Sequence, residues 1–414
     1  MTGRLVVVGA SYAGTQLAFS ARDHGFAGEV VMLGEEARMP YQRPPLSKAY
    51  LQGKMAPPAM LLRAEAAFRR AAIELRLGER AVAINRAARE VVLADGRRLA
   101  YTKLALTTGA RVRRLSVSGQ NLAGIHHLRD MGDADALAAA AATARRAVVI
   151  GGGFIGLEVA ASLRTLGLEV VVVEPLDRLL KRCFPPLLSD WTLALHRRHG
   201  VDVRLGATVA AILGDAGRVC GVHLGSGDEI AGDLVVVGVG VDANDELARD
   251  AGLRTDRGIV VDAHGMTSDP SIAAAGDCTA RLDLEGSQPG GGLIRIQSVQ
   301  NATEQARAAG ATLAGTPTLH LVQPWFWSDQ YDAKFQMVGH GSPDDEIVLR
   351  GDPESGKFSL FHFRDRRLVA VDSVGAIRDH MTARKLLAHG TELAAHQAGD
   401  AGIDLESFCR AASR

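Results

Sequence analysis

A short device that occurs twice constrains this chain more than any other feature. In "RRAVVIGGGFIGLEVAASLRTLGLEVVVVEP", beginning at Arg145, an apolar strand runs into Gly151, Gly153 and Gly156 and then into a helical pattern. Gly167 offers a helix stop, and a second apolar strand closes on Glu174. Glycines at this spacing let the backbone approach a pyrophosphate. The helix N-terminus favours the anion, and an acid at the next strand end accepts from a ribose hydroxyl. About 140 residues earlier, "RLVVVGASYAGTQLAFSARDHGFAGEVVMLGEE" repeats the order with Gly9 and Gly14, and Ser11 stands where the middle glycine belongs. Leu17, Ala18 and Ala21 fall at helical spacing, Gly25 is a stop, and Val30 to Leu33 lead to Glu35 and Glu36. One imperfect fingerprint is weak evidence. Two, each with its acid, predict an α/β protein with two Rossmann-like dinucleotide-binding domains, and 414 residues exceed what one ordinary core holds.

A third segment adds to this. "GMTSDPSIAAAGDCTA" is a short apolar approach to Gly276 and Asp277, and an acid after a glycine at a strand end suits the ribityl and phosphate portion of a flavin. Two dinucleotide sites with this element suggest FAD and a nicotinamide nucleotide in one chain. Glu174 would accept from a 2′-hydroxyl and repel a 2′-phosphate, which favours NADH over NADPH; the nearby Lys181 and Arg182 pull the other way.

Composition removes several alternatives. Formal net charge is +0, so no global field recruits nucleic acid or an anionic membrane. The four cysteines, Cys183, Cys220, Cys278 and Cys409, lie far apart with no CxxC. That argues against a structural metal, a disulfide scaffold and a dithiol redox centre, and Cys183 and Cys278 read as packing residues. No apolar run reaches the length of a membrane span. "LVVVGASYAG" near the N-terminus reads as a strand and turn rather than a signal peptide, so a cytoplasmic location is expected. "ADALAAAAATARRA" reads as an exposed helix entering the second nucleotide domain.

The segment "YQRPPLSK", Tyr41 to Lys48, fits neither a sheet nor a helix interior, because two adjacent prolines fix φ and remove two donors. The residues alone leave open a plain surface turn or a rigid arm that carries Lys48.

Taken together, "PYQRPPLSKAYL", "LALTTGA", "GGGFIGLEVA", "LVVVGVGV", "SDPSIAAAGD", "QNATEQAR", "PWFWSDQYD" and "LVAVDSV" resemble FAD-dependent NADH–ferredoxin reductases of bacterial oxygenase systems. The likeness covers nearly the whole chain. It implies an FAD-binding domain interrupted by an NAD-binding domain and followed by a C-terminal α+β domain, with segments 1–110, 111–241, 242–320 and 321–414. It also implies that the proline arm brings Lys48 to flavin N5, with Glu158 approaching from the nicotinamide side and pairing with it. A cation there would stabilise the charge of the reduced flavin. Glu158 stands in the otherwise apolar "GLEVAASL", which favours burial over solvation. Gly9, Ala13, Gly14, Glu35 and Glu36 would hold the adenosine and pyrophosphate of FAD, and Val82 its adenine end. Arg43, Pro45, Thr108, Gly109, Arg129, Gly276 and Asp277 would line the rest, with Val299 along the isoalloxazine and Trp327 at its edge near Trp325. For NADH the implied positions are Gly151, Gly153, Phe154, Ile155, Gly156, Glu158, Glu174, Arg182 and Gly240.

The chain departs from the family's pattern at Ala243, where proline is usual, at Gln297, where glutamate is common, and in "VGAIRDH". The run Pro289 to Gly292 loosens a loop before the flavin-facing segment. The resemblance implies hydride transfer from NADH to FAD, then single electrons to a [2Fe–2S] ferredoxin that supplies a P450 or Rieske oxygenase. Six Arg or Lys between Phe358 and Gly390, against three aspartates, would suit an acidic partner. No nucleic acid, membrane or metal is expected, and the protein is expected to be a monomer or homodimer. The rival readings are an NADH oxidase, quinone or disulfide reductase, and an NADH-sensing flavoprotein that does not turn over.

Overall fold

A computed structural model describes residues 3–283, 292–321 and 323–412, apart from the side chains of 410–412. The chain forms two compact units. One comprises Met1–Gln42, Pro57–Arg111 and Asp242–Phe326, the other Arg43–Ala56, Val112–Val241 and Trp327–Arg414.

The first unit is built on a parallel sheet in the order Ile272–Ala274, Lys103–Leu106, Arg4–Val8, Glu29–Gly34, Ile73–Leu77. Its central strands read as continuous apolar runs because both faces are covered, as parallel sheets require. The helices Tyr12–Asp23 and Val299–Leu313 pack closely together; a Cβ at Gly310 would lie 2.5 Å from the carbonyl of Leu17. An antiparallel meander, Ala81–Asn85, Glu90–Leu93 and Arg98–Ala100, contributes Val91, Leu93 and Leu99 to a core shared with Val6, Val8 and Leu104. The strand Arg4–Val8 has a neighbour on each side, so connections leave it in opposite directions. A ligand crevice therefore opens beyond its carboxyl end.

The second unit repeats the arrangement. Its parallel sheet runs Val201–Leu205, Glu169–Glu174, Arg146–Ile150, Leu234–Val237, Ile125–His126, with Arg146–Ile150 in the corresponding switch position. The helix Phe154–Thr165 follows that strand. The same unit holds the strands Ala333–Gly339, Arg367–Val374, Lys357–Arg364 and Glu346–Asp352, which form an antiparallel sheet edged by Trp325–Gln330. Phe184, Trp191, Phe335 and Phe358 join these parts in one aromatic cluster with centroids 5.6–5.8 Å apart.

Two expectations need correction. The alanine-rich helix, Met131–Ala141, buries Met131, Ala134, Leu137 and Ala141, so it is amphipathic rather than exposed throughout. Cys278 is buried as a packing residue should be, but Cys183 is exposed, in a loop whose neighbours Lys181 and Arg182 are exposed as well. No described helix is long and apolar enough to cross a membrane. Of the glycine-rich run, Pro289–Gly291 lies outside the described residues.

Candidate active site

Both fingerprints fold into the same turn. Gly9 donates its amide to Leu33 O at 2.9 Å, and Gly151 donates to Val173 O at 2.8 Å. Gly151 has φ +112°, and a Cβ there would meet the Gly238 carbonyl at 2.4 Å, so its identity follows from the chain's own packing. Gly153 differs. Its φ of −87° and ψ of 177° suit any residue, and a Cβ would meet nothing within 4 Å. Nothing among the described residues demands glycine at that position, whereas a dinucleotide lying against the backbone would. Ser11 occupies the equivalent extended position, φ −134° and ψ −153°, so its side chain does not distort the first turn.

The first unit has further signs of a ligand. Gln300, one residue into the helix Val299–Leu313, uses its Oε1 for the amide of Trp325 at 3.4 Å, but its buried Nε2 has no partner among the described residues. The buried hydroxyl of Thr15, in the first fingerprint's helix, is likewise unpartnered among them. Buried donors and hydroxyls left unmade are costly, and the carbonyl and phosphate oxygens of a flavin nucleotide are suitable acceptors. Gly276 is anchored by its amide to Gln305 Oε1 at 2.8 Å, which sets Asp277 half-buried just after the sheet. Thr108 donates to Asn244 O at 2.6 Å and accepts at its carbonyl from Asn244 Nδ2 at 2.9 Å, beside Gly109 at φ +68°. Ala13 and Gly14 are buried in the first helix turn. Glu36 accepts from Tyr41 Oη at 2.5 Å, while Glu35 is exposed and lies 3.6 Å from Arg80. Val82 is 48% exposed. The residues of this unit fit an FAD.

In the second unit, Glu174 is 8% exposed. Its Oε2 accepts from the Gly152 amide at 2.7 Å and its Oε1 from the Leu176 amide at 2.9 Å. The carboxylate is thus held at the fingerprint turn, each oxygen keeping a lone pair for a ribose hydroxyl. Lys181 pairs with Asp177 at 2.9 Å, which offsets one of the two cations that argued for a phosphate. Arg182 is exposed, Ile155 is 47% exposed on the first helix turn, and Phe154 packs edge-on to Phe184 at 5.4 Å. Gly240, φ +102°, accepts at its carbonyl from the Arg113 amide at 2.9 Å. These residues fit a nicotinamide nucleotide.

The proline arm belongs to the same unit. Pro44–Ser47 forms one 3₁₀ turn, and Arg43 donates to Arg129 O at 2.5 Å. Lys48 Nζ lies 2.7 Å from Glu158 Oε2 and 3.3 Å from Pro44 O. The turn places Ser47 and Lys48 side by side on the helix Phe154–Thr165. Ser162, one turn beyond Glu158, donates to Ser47 O at 2.6 Å and accepts from Gln52 Nε2 at 3.0 Å. The arm is therefore docked on that helix, and Glu158 is buried, only 2% exposed. Two of the partners of Glu158 escape a reading of the sequence. Ser47 Oγ donates to Oε2 at 2.5 Å and Ser328 Oγ to Oε1 at 2.6 Å. Ser47 sits within a motif already singled out. Ser328 has no local signal beyond its place next to Trp327, which is half-buried like Trp325.

Residues 3–306 match the pyridine nucleotide-disulphide oxidoreductase family, and residues 325–409 match the reductase C-terminal family. The chain belongs to the pyridine nucleotide-disulphide oxidoreductase family. Within that family it is 46% identical to rhodocoxin reductase from Rhodococcus erythropolis, over 97% of this chain and 93% of the relative. It is 38% identical to putidaredoxin reductase CamA from Pseudomonas putida, over 99% and 97% respectively. Among solved structures, the ferredoxin reductase for the CYP199A2 system from Rhodopseudomonas palustris superposes with a TM-score of 0.95 at 40% identity, covering 98% of this chain and 100% of that one. The covalent putidaredoxin reductase–putidaredoxin complex superposes with a TM-score of 0.94 at 36% identity, covering 99% of each chain.

Proposed function

We propose that this family member is an FAD-dependent NADH–ferredoxin reductase that supplies an oxygenase, such as a cytochrome P450, through a [2Fe–2S] ferredoxin. One observation carries the reading: two dinucleotide turns in a single chain, followed by a domain that matches the reductase C-terminal family. The four widely spaced cysteines offer no dithiol for a disulfide substrate. FAD, when bound, would supply the redox chemistry that links a two-electron hydride donor to a one-electron acceptor.

The chain's own residues do the rest. Gly9, Gly14, Thr15, Thr108, Gly109, Gly276, Asp277, Val299 and Gln300 hold the flavin nucleotide, with Glu35, Glu36 and Val82 toward its adenosine. Arg43, Pro45, Lys48, Arg129 and Trp327 serve the same cofactor on this reading. Gly151, Gly153, Ile155, Gly156, Arg182 and Gly240 hold NADH, and Glu174 orients its ribose. Lys48 contributes positive charge to the flavin's reacting end and Glu158 keeps that charge in place. The Glu174 carboxylate and the Asp177–Lys181 pair support NADH over NADPH. The segments 1–110, 111–241, 242–320 and 321–414 are its FAD, NAD, FAD and C-terminal parts, and its location is cytoplasmic. Arg364 is engaged with Asp345 at 2.8 Å, so the exposed Arg366, Arg367, Arg378 and Lys385 supply the positive charge that favours an acidic partner.

An anaerobic NADH titration of the purified holoenzyme, followed by addition of a [2Fe–2S] ferredoxin, tests the proposal. The flavin should bleach at one NADH per FAD and regain colour as the ferredoxin is reduced. Bleaching with rapid recovery in air and no ferredoxin reduction would identify an oxidase instead.

A further inference from the structure

Glu158 is the end point of a hydrogen-bond chain whose members lie far apart in sequence. His196 Nε2 is 2.8 Å from Gln330 Oε1, Gln330 Nε2 is 3.2 Å from Ser328 Oγ, and Ser328 Oγ is 2.6 Å from Glu158 Oε1. His196, Gln330 and Ser328 are all fully buried at 0% exposure. The sense of every bond is forced. An amide oxygen only accepts, so His196 carries its proton on Nε2; its Nδ1, which then has no proton, makes no bond among the described residues. The amide nitrogen of Gln330 only donates, so the Ser328 hydroxyl accepts from it and turns its own proton toward Glu158. Burial holds the His196 imidazole down at about 4, which keeps it neutral at the foot of the chain.

Strand geometry explains how two of these groups share a face. Ser328 and Gln330 alternate inward on Trp325–Gln330, and the intervening Asp329 is half-buried on the other side. A hydroxyl, an amide and an imidazole buried together are more expensive than apolar side chains of the same volume unless each is satisfied and the network orders something. What it orders is the carboxylate at its end. With Ser328 on Oε1, and Ser47 and Lys48 on Oε2, both oxygens have assigned partners and the carboxyl group has one orientation.

We propose that Ser328 and Gln330 are positioning residues for the reaction, holding the Glu158 side chain in one orientation so that Lys48 stays in its working place. The inference rests on the reading of the Lys48–Glu158 pair given above. Among the described residues, Lys48 is the charged side chain in contact with Glu158. Arg164 on the same helix is turned to the carbonyls of His199 and Leu168, and His196 reaches Glu158 only through Gln330 and Ser328.

The test uses the FAD-loaded enzyme and the variants S328A, S328T and E158Q. S373A is a control for removal of a buried serine from the same sheet, where Ser373 Oγ bonds Ser359 Oγ at 2.9 Å. Two quantities are followed. One is the limiting rate of flavin reduction by NADH in anaerobic stopped flow; the other is the absorption spectrum of the resting, oxidised flavin. Without the Ser328 hydroxyl, Oε1 loses its assigned partner and the carboxyl group its fixed orientation. S328A should therefore slow flavin reduction about tenfold and move the oxidised-flavin spectrum toward that of E158Q. NADH affinity should stay within about twofold, a split that general loosening of the site would not produce. S328T, which keeps the hydroxyl, should return toward wild type, and S373A should match it. A wild-type rate and spectrum in S328A beside a slowed E158Q would overturn the positioning role alone. Wild-type behaviour of E158Q would overturn the pair's role, and the positioning role with it. If S328A fails to retain flavin, Q330M breaks the chain one link earlier; a smaller loss of rate in the same direction is expected, and a wild-type rate there overturns the proposal.

Discussion

Replacing Lys48 with methionine removes the cation and keeps most of the side chain's volume, leaving Glu158 with two hydroxyl donors in a site that is 2% exposed. Breaking a fully buried ion pair by deleting one member costs about 3–5 kcal/mol. Here the Lys48 side chain is 17% exposed and the serines remain, so the cost falls at or below the lower end of that range, about 2–3 kcal/mol. Glu158→Gln costs less, about 1–2 kcal/mol, because Lys48 keeps Pro44 O at 3.3 Å and some access to water. The double variant leaves neutral groups that can satisfy one another, and it should lie closer to wild type than the sum of the two singles. The pair sits in a unit of about 230 residues, in which 2–3 kcal/mol corresponds to a fall in Tm of about 5 °C. Differential scanning fluorimetry of the four proteins at constant FAD is the assay, and hydrogen exchange over 43–56 locates the effect in the docked arm. Melting of all four within about 1 °C would refute the argument. So would a double variant that loses the full sum, because the two side chains would then be acting independently.

Three further outcomes follow from the site. A Cβ at Gly153 meets no described atom within 4 Å, so in Gly153→Ala Tm and FAD content should be unchanged while NADH binding weakens at least about tenfold; a destabilised protein with normal NADH affinity would show that the chain, not the ligand, requires glycine there. In Glu174→Gln an amide replaces the acceptor of two backbone N–H groups, leaving one of them unsatisfied at about 1–3 kcal/mol. Titration should show weaker NADH binding, a narrower margin over NADPH and intact FAD; unchanged affinities would remove Glu174 from ribose recognition. His196, held at about 4 against an ordinary value near 6.5, binds a proton more readily in the unfolded state, so its share of stability is complete above about pH 6.5 and is lost as pH falls toward 4, up to about 3 kcal/mol. Melting curves between pH 7 and 4.5 should fall less steeply in His196→Gln, which cannot titrate; identical slopes would argue against a buried neutral imidazole.

Much of the architecture is legible in local sequence, and the reason is the same in both units. A dinucleotide turn is made by contiguous residues: an apolar strand, glycines at fixed offsets, a helix start and an acid one strand later. The strands that enter the two turns read "LVVV" and "AVVI", and their continuous apolarity already signals strands covered on both faces. Even the Ser11 departure, which weakens the first fingerprint as a pattern, costs the turn nothing, because position 11 is extended rather than left-handed. The alanine-rich stretch misleads because alanine reports helix propensity strongly but burial weakly. Only packing shows that Ala134 and Leu137 face a core.

The amino-acid sequence by itself determined the two nucleotide turns, the acids that follow them, the proline arm and the candidacy of Lys48 and Glu158. Tertiary structure decided what holds that pair. Ser47 lies 111 positions from Glu158 and Ser328 lies 170 positions away, and neither residue type carries a pattern that points across such distances. A serine reads in sequence as a surface or turn residue, and a lone histidine or glutamine reads as nothing in particular. Only when strand alternation turns Ser328 and Gln330 inward, and burial removes water as their alternative partner, do they have to bond one another and Glu158.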